Sequence, residues 1–137
     1  MSTRSLSDAT PALAAKIEAV KAQYLAMFPN RNIREIEVLR TDAEQAADFA
    51  AGRSKLDGVT KKSKHQPGPD GKSRAVDLGV FNKANTHYLT NVLYYEPLVG
   101  LAAKNGLRSG LDWDRDGISD IAEHPRWLHD GPHLEEI

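Results

Sequence analysis

The sequence predicts an α+β fold, with about three helices flanking a small antiparallel sheet. Three observations carry that expectation. One N-terminal segment repeats its apolar residues at helical spacing, several short segments are β-branched or apolar at strand spacing, and no internal repeat orders them into regular units. A chain of 137 residues suits one domain. At that length it buries roughly two thirds of the surface that its unfolded form exposes.

Thr10 followed by Pro11 reads as an N-cap and first helical position, and Leu13, Ile17, Val20 and Tyr24 recur on one face up to a stop near Pro29. Ile33 to Leu39 is β-branched and roughly alternating, as a half-buried strand should be. Thr41-Asp42-Ala43-Glu44 is a capping box that opens a second helix to about Ala51, closed by Gly52, so Arg40 falls at a strand-to-helix corner. From Gly52 to Arg74 the chain is rich in Gly, Pro, Ser and Lys. It holds seven basic residues against two acidic ones and has neither periodicity, which predicts a long exposed loop. A short apolar strand follows at Ala75 to Val80. A third helix is expected over about Thr90 to Lys104, stopped by Gly106, and then a strand near Leu107 to Leu111. The last 26 residues, from Asp112, hold eight acidic and two basic residues and both tryptophans.

Composition excludes several classes of function. Lys and Arg number 18 against 19 Asp and Glu, for a net charge of -1 and a pI near 6.5. No global positive field is present to hold a phosphate backbone, so nucleic acid is not expected as a partner. The lack of cysteine removes disulfides, thiolate zinc sites, iron–sulfur clusters and cysteine nucleophiles, and leaves His and carboxylate for any metal. The N-terminus carries no apolar signal core, and the longest apolar stretch, about Pro97 to Ala103, is too short to span a bilayer. Neither a signal peptide nor membrane insertion is expected.

Chemistry concentrates in three groups: Ser63-Lys64-His65, then Ser73-Arg74-Ala75-Val76-Asp77-Leu78, then His129-Asp130-Gly131-Pro132-His133-Leu134-Glu135. A lone histidine is usually a satisfied surface or half-buried residue, and it is position that singles these out. His65 lies on a loop entering a strand, and His133 lies in a terminal strand between Pro132 and Leu134. Asp77 interrupts an apolar strand, where a carboxylate is costly to bury unless it is paired or metal-bound.

In that order the three groups resemble the zinc peptidases of the D-alanyl-D-alanine carboxypeptidase type, grouped with lysostaphin and hedgehog domains. The family's Ser-x-His-x-x-Gly-x-Ala-x-Asp, followed by Asp-x-x-His, is met as Ser63-Lys64-His65-Gln66-Pro67-Gly68, Ala75-Val76-Asp77-Leu78 and Asp130-Gly131-Pro132-His133. Upstream, Arg40-Thr41, Gln45 and Gly52 are similar to the family's Arg-Thr, Gln and Gly stretch, so the resemblance runs from Ile36 to the C-terminus. Length and ending are most similar to the L-alanyl-D-glutamate peptidases of the T-five-like coliphages, which are single catalytic domains without a wall-binding module. One departure stands out. Eleven residues separate His65 from Asp77, more than the family's usual spacing, and Pro69-Asp70-Gly71-Lys72-Ser73 reads as an insertion that lengthens a hairpin and leaves Asp77 in register.

The resemblance implies zinc held by His65, Asp77 and His133 on the small sheet, with a fourth position left open as catalytic zinc requires. It implies Asp130 as general base and then as acid to the leaving amine. It also makes Arg40, Gln45 and Ser63 substrate-side residues. The planar, permanently charged fork of Arg40 suits a peptide carboxylate or a tetrahedral oxyanion. The residue types alone leave other readings open, with Asp130 as a turn former ahead of Gly131 and Arg40 as a surface arginine near a helix N-terminus. His129 would orient the base or the water, Glu135 and Glu136 are the fallback proton carriers, and His87 and His124 read as surface residues.

A second constellation is independent of the first. Asp112-Trp113-Asp114-Arg115-Asp116-Gly117-Ile118-Ser119-Asp120-Ile121-Ala122-Glu123 places side-chain oxygens at positions 1, 3, 5, 9 and 12 of a calcium loop of EF-hand type, with Gly at position 6 for the turn. The calcium ligands expected are Asp112, Asp114, Asp116, Ile118 through its main chain, Asp120 and Glu123. Position 8 is Ser119 instead of an apolar residue, which speaks against the pairing strand of a complete EF-hand.

Residues 1–137 are therefore expected to form a single catalytic zinc peptidase domain, a monomeric phage-type endolysin with Zn2+ and a regulatory or structural Ca2+. Its partner is bacterial peptidoglycan, cut in the stem peptide between L-Ala and D-Glu. The same chemistry serves D-Ala-D-Ala carboxypeptidases and dipeptidases, and a non-catalytic zinc- and calcium-binding module is the alternative of a different class. Synthesis in the host cytoplasm and action on the periplasmic wall after holin-type release complete the expectation.

Overall fold

Thr10 opens helix α1 (Pro11–Met27), its Oγ1 accepting from the Leu13 N–H at 3.2 Å while Pro11 takes the first helical position. The computed structural model describes residues 3–123 and 130–137, apart from the side chains of residues 122 and 123. Leu13, Ile17, Val20 and Tyr24 of α1 are all fully buried, the three aliphatic ones each stabilising the fold by roughly 1.5–3 kcal/mol relative to exposure. Helix α2 (Asp42–Ala50) starts at the capping box read from the sequence, with Thr41 and Glu44 satisfying each other's main-chain N–H groups.

The sheet consists of β1 (Arg31–Glu37), β2 (Ala75–Asn82), β3 (Tyr88–Leu89), β4 (Leu107–Gly110) and β5 (Asp130–Glu136). Its order is β1-β2-β5-β4 with β3 also on β2, and every pairing is antiparallel. Because side chains alternate along a strand, the register decides which face each one joins. Val76, Leu78 and Val80 of β2 and Leu134 of β5 enter the core beneath α1 and α3 (Pro97–Lys104), together with Leu98, Leu107 and Leu111. Asp77, paired with His133, and Glu135, paired with Arg108, share the opposite face. The α+β expectation is met, and the site's residues lie on the face of the sheet turned away from the core.

Several element boundaries differ from the sequence reading, and β2 runs on to Asn82 instead of ending at Val80. β1 spans Arg31–Glu37, whereas the pattern predicts Ile33 to Leu39. The register with β2 slips between Glu35 and Glu37, and the next main-chain groups go elsewhere: Val38 N–H to Thr3 and Arg40 N–H to the His65 carbonyl. The helix expected over Thr90 to Lys104 is shorter, because Val92–Tyr94 forms a single 3-10 turn and α3 begins at Pro97. A proline inside a helix removes a hydrogen bond and clashes with the preceding turn, so the helix starts there.

The basic segment 52–74 is irregular, as expected, but Ser63, His65, Gln66 and Ser73 within it are buried, whereas the sequence predicts an exposed loop. Its inserted residues form a self-closed turn, with Gly68 N–H donating to Lys72 O at 3.0 Å and Gly71 N–H to Gly68 O at 2.9 Å. The extra length therefore leaves β2 in register. A four-residue helix, α4 (Asp120–Glu123), follows the acidic segment. His124, Trp127, His129 and the side chain of Glu123 lie outside the described residues. No helix of the described residues is long and apolar enough to cross a membrane.

Candidate metal centre

His65, Asp77 and His133 come from three separate segments, and one potential ligand atom of each lies within 4.8 Å of the others. Asp77 Oδ1 sits between the two rings, 3.0 Å from His65 Nε2 and 3.1 Å from His133 Nδ1. The rings meet edge to face with centroids 5.2 Å apart. Each ring is held from behind. His65 Nδ1 faces the Val38 carbonyl at 2.9 Å, and His133 Nε2 faces Glu135 Oε1 at 2.8 Å. A hydrogen-bond acceptor on the far nitrogen orients a ligating imidazole and fixes its tautomer, so the donor set of two imidazole nitrogens and one carboxylate oxygen fits zinc.

Local structure explains the presentation of His65. Ser63 Oγ accepts from the His65 N–H at 3.2 Å, and Gln66 closes the turn, its N–H reaching Ser63 O at 3.0 Å and its Oε1 accepting from the Ser63 N–H at 2.8 Å. The Gln66 amide also donates to Asp42 and to Gly58 O, tying the loop to the start of α2. Gln66 is a buried residue whose role the sequence reading missed; it stands beside His65 in the motif, which was the available signal.

The electrostatics follow from burial and from these contacts. Burial pushes the Asp77 carboxyl up, but hydrogen bonds from His133 and His65 outweigh it and hold the group well below the usual carboxylate range. For His133, burial favours the neutral ring, and the bonds to Asp77 and Glu135 overcome it and raise the group. Asp130 is raised by burial and by the Asp77 charge. Its position is set by a close approach: a Cβ on Gly110 would lie 1.9 Å from the Asp130 carbonyl oxygen, so only glycine lets β4 meet β5 there.

The triad and Asp130 border an open cleft of about 680 Å³, whose walls include Arg40, Arg53, Lys55, Lys62, Ser63 and Trp113. Arg40 is engaged within the chain. Its guanidinium contacts Glu37, donates to Gln45 Oε1 at 2.6 Å and lies 3.6 Å from Asp48. Gln45 is fully buried, and its amide also donates to Ser54 and to Leu56 O. It supports Arg40 and the loop and is shut off from solvent, where the sequence reading expects a substrate-side residue. His87 is exposed, as expected.

In the acidic segment, Asp112, Asp114 and Asp120 each bring a carboxylate oxygen within 4.8 Å of the others. Asp112 accepts from the N–H groups of Asp116 and Gly117 at 3.1 and 3.0 Å, and Gly117 adopts φ 81°, which the turn requires. Asp120 is fully buried. Its Oδ2 accepts from the Trp113 N–H at 2.7 Å, while its Oδ1 has no hydrogen-bond partner among the described residues. Burial and the neighbouring Asp114 and Asp116 raise Asp112 to about 6. The segment also reaches the first site, since the Trp113 ring lies 5.6 Å from the His133 ring.

The chain shares its fold with a solved peptidase. The crystal structure of Serratia marcescens L-Ala D-Glu endopeptidase ChiX is similar at a TM-score of 0.67 and 23% sequence identity, over 100% of this chain and 89% of that one. No protein-family model matches the sequence, and no curated protein does either. At this identity the likeness speaks for the fold alone.

Proposed function

We propose that the protein is a zinc peptidase that cuts the peptidoglycan stem peptide between L-Ala and D-Glu, acting as an endolysin of phage type. The observation that carries the reading is the convergence of His65 Nε2, Asp77 Oδ1 and His133 Nδ1 beside an open cleft with Asp130 on its rim. The choice of bond is taken from the solved L-Ala D-Glu endopeptidase of the same fold and is part of the proposal. In this reading the protein is made in the host cytoplasm and meets the wall after holin-type release.

His65, Asp77 and His133 would hold the metal. Bound there, zinc supplies a Lewis acid for a scissile carbonyl and lowers the pKa of water to near 7. Asp130 carries the proton, and its raised carboxyl is shifted in the direction that a proton carrier working near neutral pH needs. The cations on the cleft wall, Arg53, Lys55 and Lys62, suit the carboxylates of an acidic stem peptide. Arg40, buttressed by Gln45, faces the same cleft.

Calcium at the acidic loop is part of the reading. Three carboxylates in reach of one ion and a buried Asp120 oxygen without a hydrogen bond among the described residues are what a hard cation would satisfy. Trp113, the second residue of that loop, packs on His133 and links loop order to the zinc ligand. The test is hydrolysis of a synthetic stem peptide containing L-Ala-D-Glu by the zinc-loaded protein, with and without chelator. Chelator-sensitive cleavage at that bond supports the reading; an intact peptide, or cleavage indifferent to chelator, refutes it.

A further inference from the structure

We propose that Glu135 is the positioning residue for His133, keeping its Nε2 protonated and its Nδ1 free for a metal; this rests on the zinc reading above and deepens it. Residues 133 and 135 are two apart on β5, so their side chains leave the same face of the sheet. Glu135 Oε1 lies 2.8 Å from His133 Nε2. An ionised carboxylate only accepts hydrogen bonds, so the proton of that contact belongs to Nε2. In the neutral ring that ligates a metal, keeping that proton on Nε2 leaves the lone pair on Nδ1, the nitrogen beside Asp77.

Glu135 is itself gripped on its other oxygen. Lys64 Nζ stands 3.0 Å and Arg108 Nη1 3.3 Å from Glu135 Oε2, and Arg108 is its cross-strand partner on β4. Lys64 is the residue next to His65, so the loop that presents one histidine also anchors the carboxylate that orients the other. At 6% exposure, with its two oxygens assigned to different partners, Glu135 has no freedom to serve as a mobile proton carrier. It differs from the support of His65, which is a main-chain carbonyl that no side-chain substitution removes.

Zinc affinity of the full-length chain, measured by chelator competition for wild type, Glu135→Ala and Glu135→Gln, tests the proposal. The expected result is affinity about 10- to 100-fold weaker in Glu135→Ala, with most of it restored in Glu135→Gln, which keeps an acceptor oxygen and the volume. Nitrogen-15 spectra of the zinc-loaded proteins should show His133 protonated at Nε2, with that N–H resonance displaced between wild type and Glu135→Gln, a displacement that an ion pair of Glu135 with Lys64 and Arg108 alone would not produce. Wild-type affinity in Glu135→Ala overturns the proposal, as does a His133 protonated at Nδ1. If Glu135→Ala does not fold, the Gln variant and the spectra decide. A wild-type chain that binds no zinc overturns the metal reading itself, a failure recognisable before any variant is compared.

Discussion

Asp77 and His133 stand directly opposite each other on β2 and β5, and the carboxylate oxygen of one lies 3.1 Å from Nδ1 of the other. The sheet register thus fixes two of the three candidate ligands relative to each other, and the loop over β2 has only to deliver His65. His133→Ala should leave the strands paired and remove one ligand. Metal analysis of the purified variant is expected to find zinc lost, together with peptidase activity, where wild type retains one zinc per chain. Removing residues from Pro132 onward should go further and destabilise the fold, because the fully buried Leu134 leaves the core.

Asp130 is separable from the metal. Asp130→Asn keeps the shape and removes the proton carrier, so the variant should bind zinc like wild type while kcat falls by about 10² to 10⁴. Steady-state kinetics beside zinc titration check this. A near wild-type kcat would make Asp130 a turn residue ahead of Gly131.

Calcium should act through Trp113. Calorimetry is expected to show calcium binding that is lost in Asp114→Ala, with activity rising in parallel when zinc is held constant. Trp113→Ala should keep calcium binding and lose the dependence of activity on it, because the ring beside His133 joins the two sites. Activity indifferent to calcium in wild type would reduce the loop to a stabilising clip.

Tyr95 tests the frame beneath the site. Its buried hydroxyl donates to Leu89 O at 2.6 Å and accepts from the Val80 N–H at 3.0 Å, and burial pushes the phenol far above its ordinary range. Tyr95→Phe leaves both main-chain groups without that partner, a cost of about 1–3 kcal/mol. Denaturant unfolding should show it as a lower midpoint with an unchanged slope.

Legibility in the sequence followed the range of the physics. Thr10-Pro11 and Thr41 with Glu44 mark helix starts through contacts within one turn, and both helices begin where those residues predict. The ordered motifs around His65, Asp77 and His133 name residues that the fold brings within ligand distance of one another. The end of β1 was not readable, because Val38 and Arg40 give their main-chain groups to Thr3 and His65, partners remote in sequence. Gln45 looks like a polar residue for the cleft until its burial is known. Glu135 reads in the sequence as a fallback acid, although its two-residue spacing from His133 in a strand already places both on one face.

The most direct measurement is digestion of purified Gram-negative peptidoglycan by the zinc-loaded protein, with mass spectrometry of the released stems. Peptides beginning at D-Glu and glycan ending in L-Ala are expected, lost on chelation and in His133→Ala. Products cut only at D-Ala-D-Ala would contradict the proposed bond, and intact peptidoglycan with zinc bound would contradict the peptidase itself.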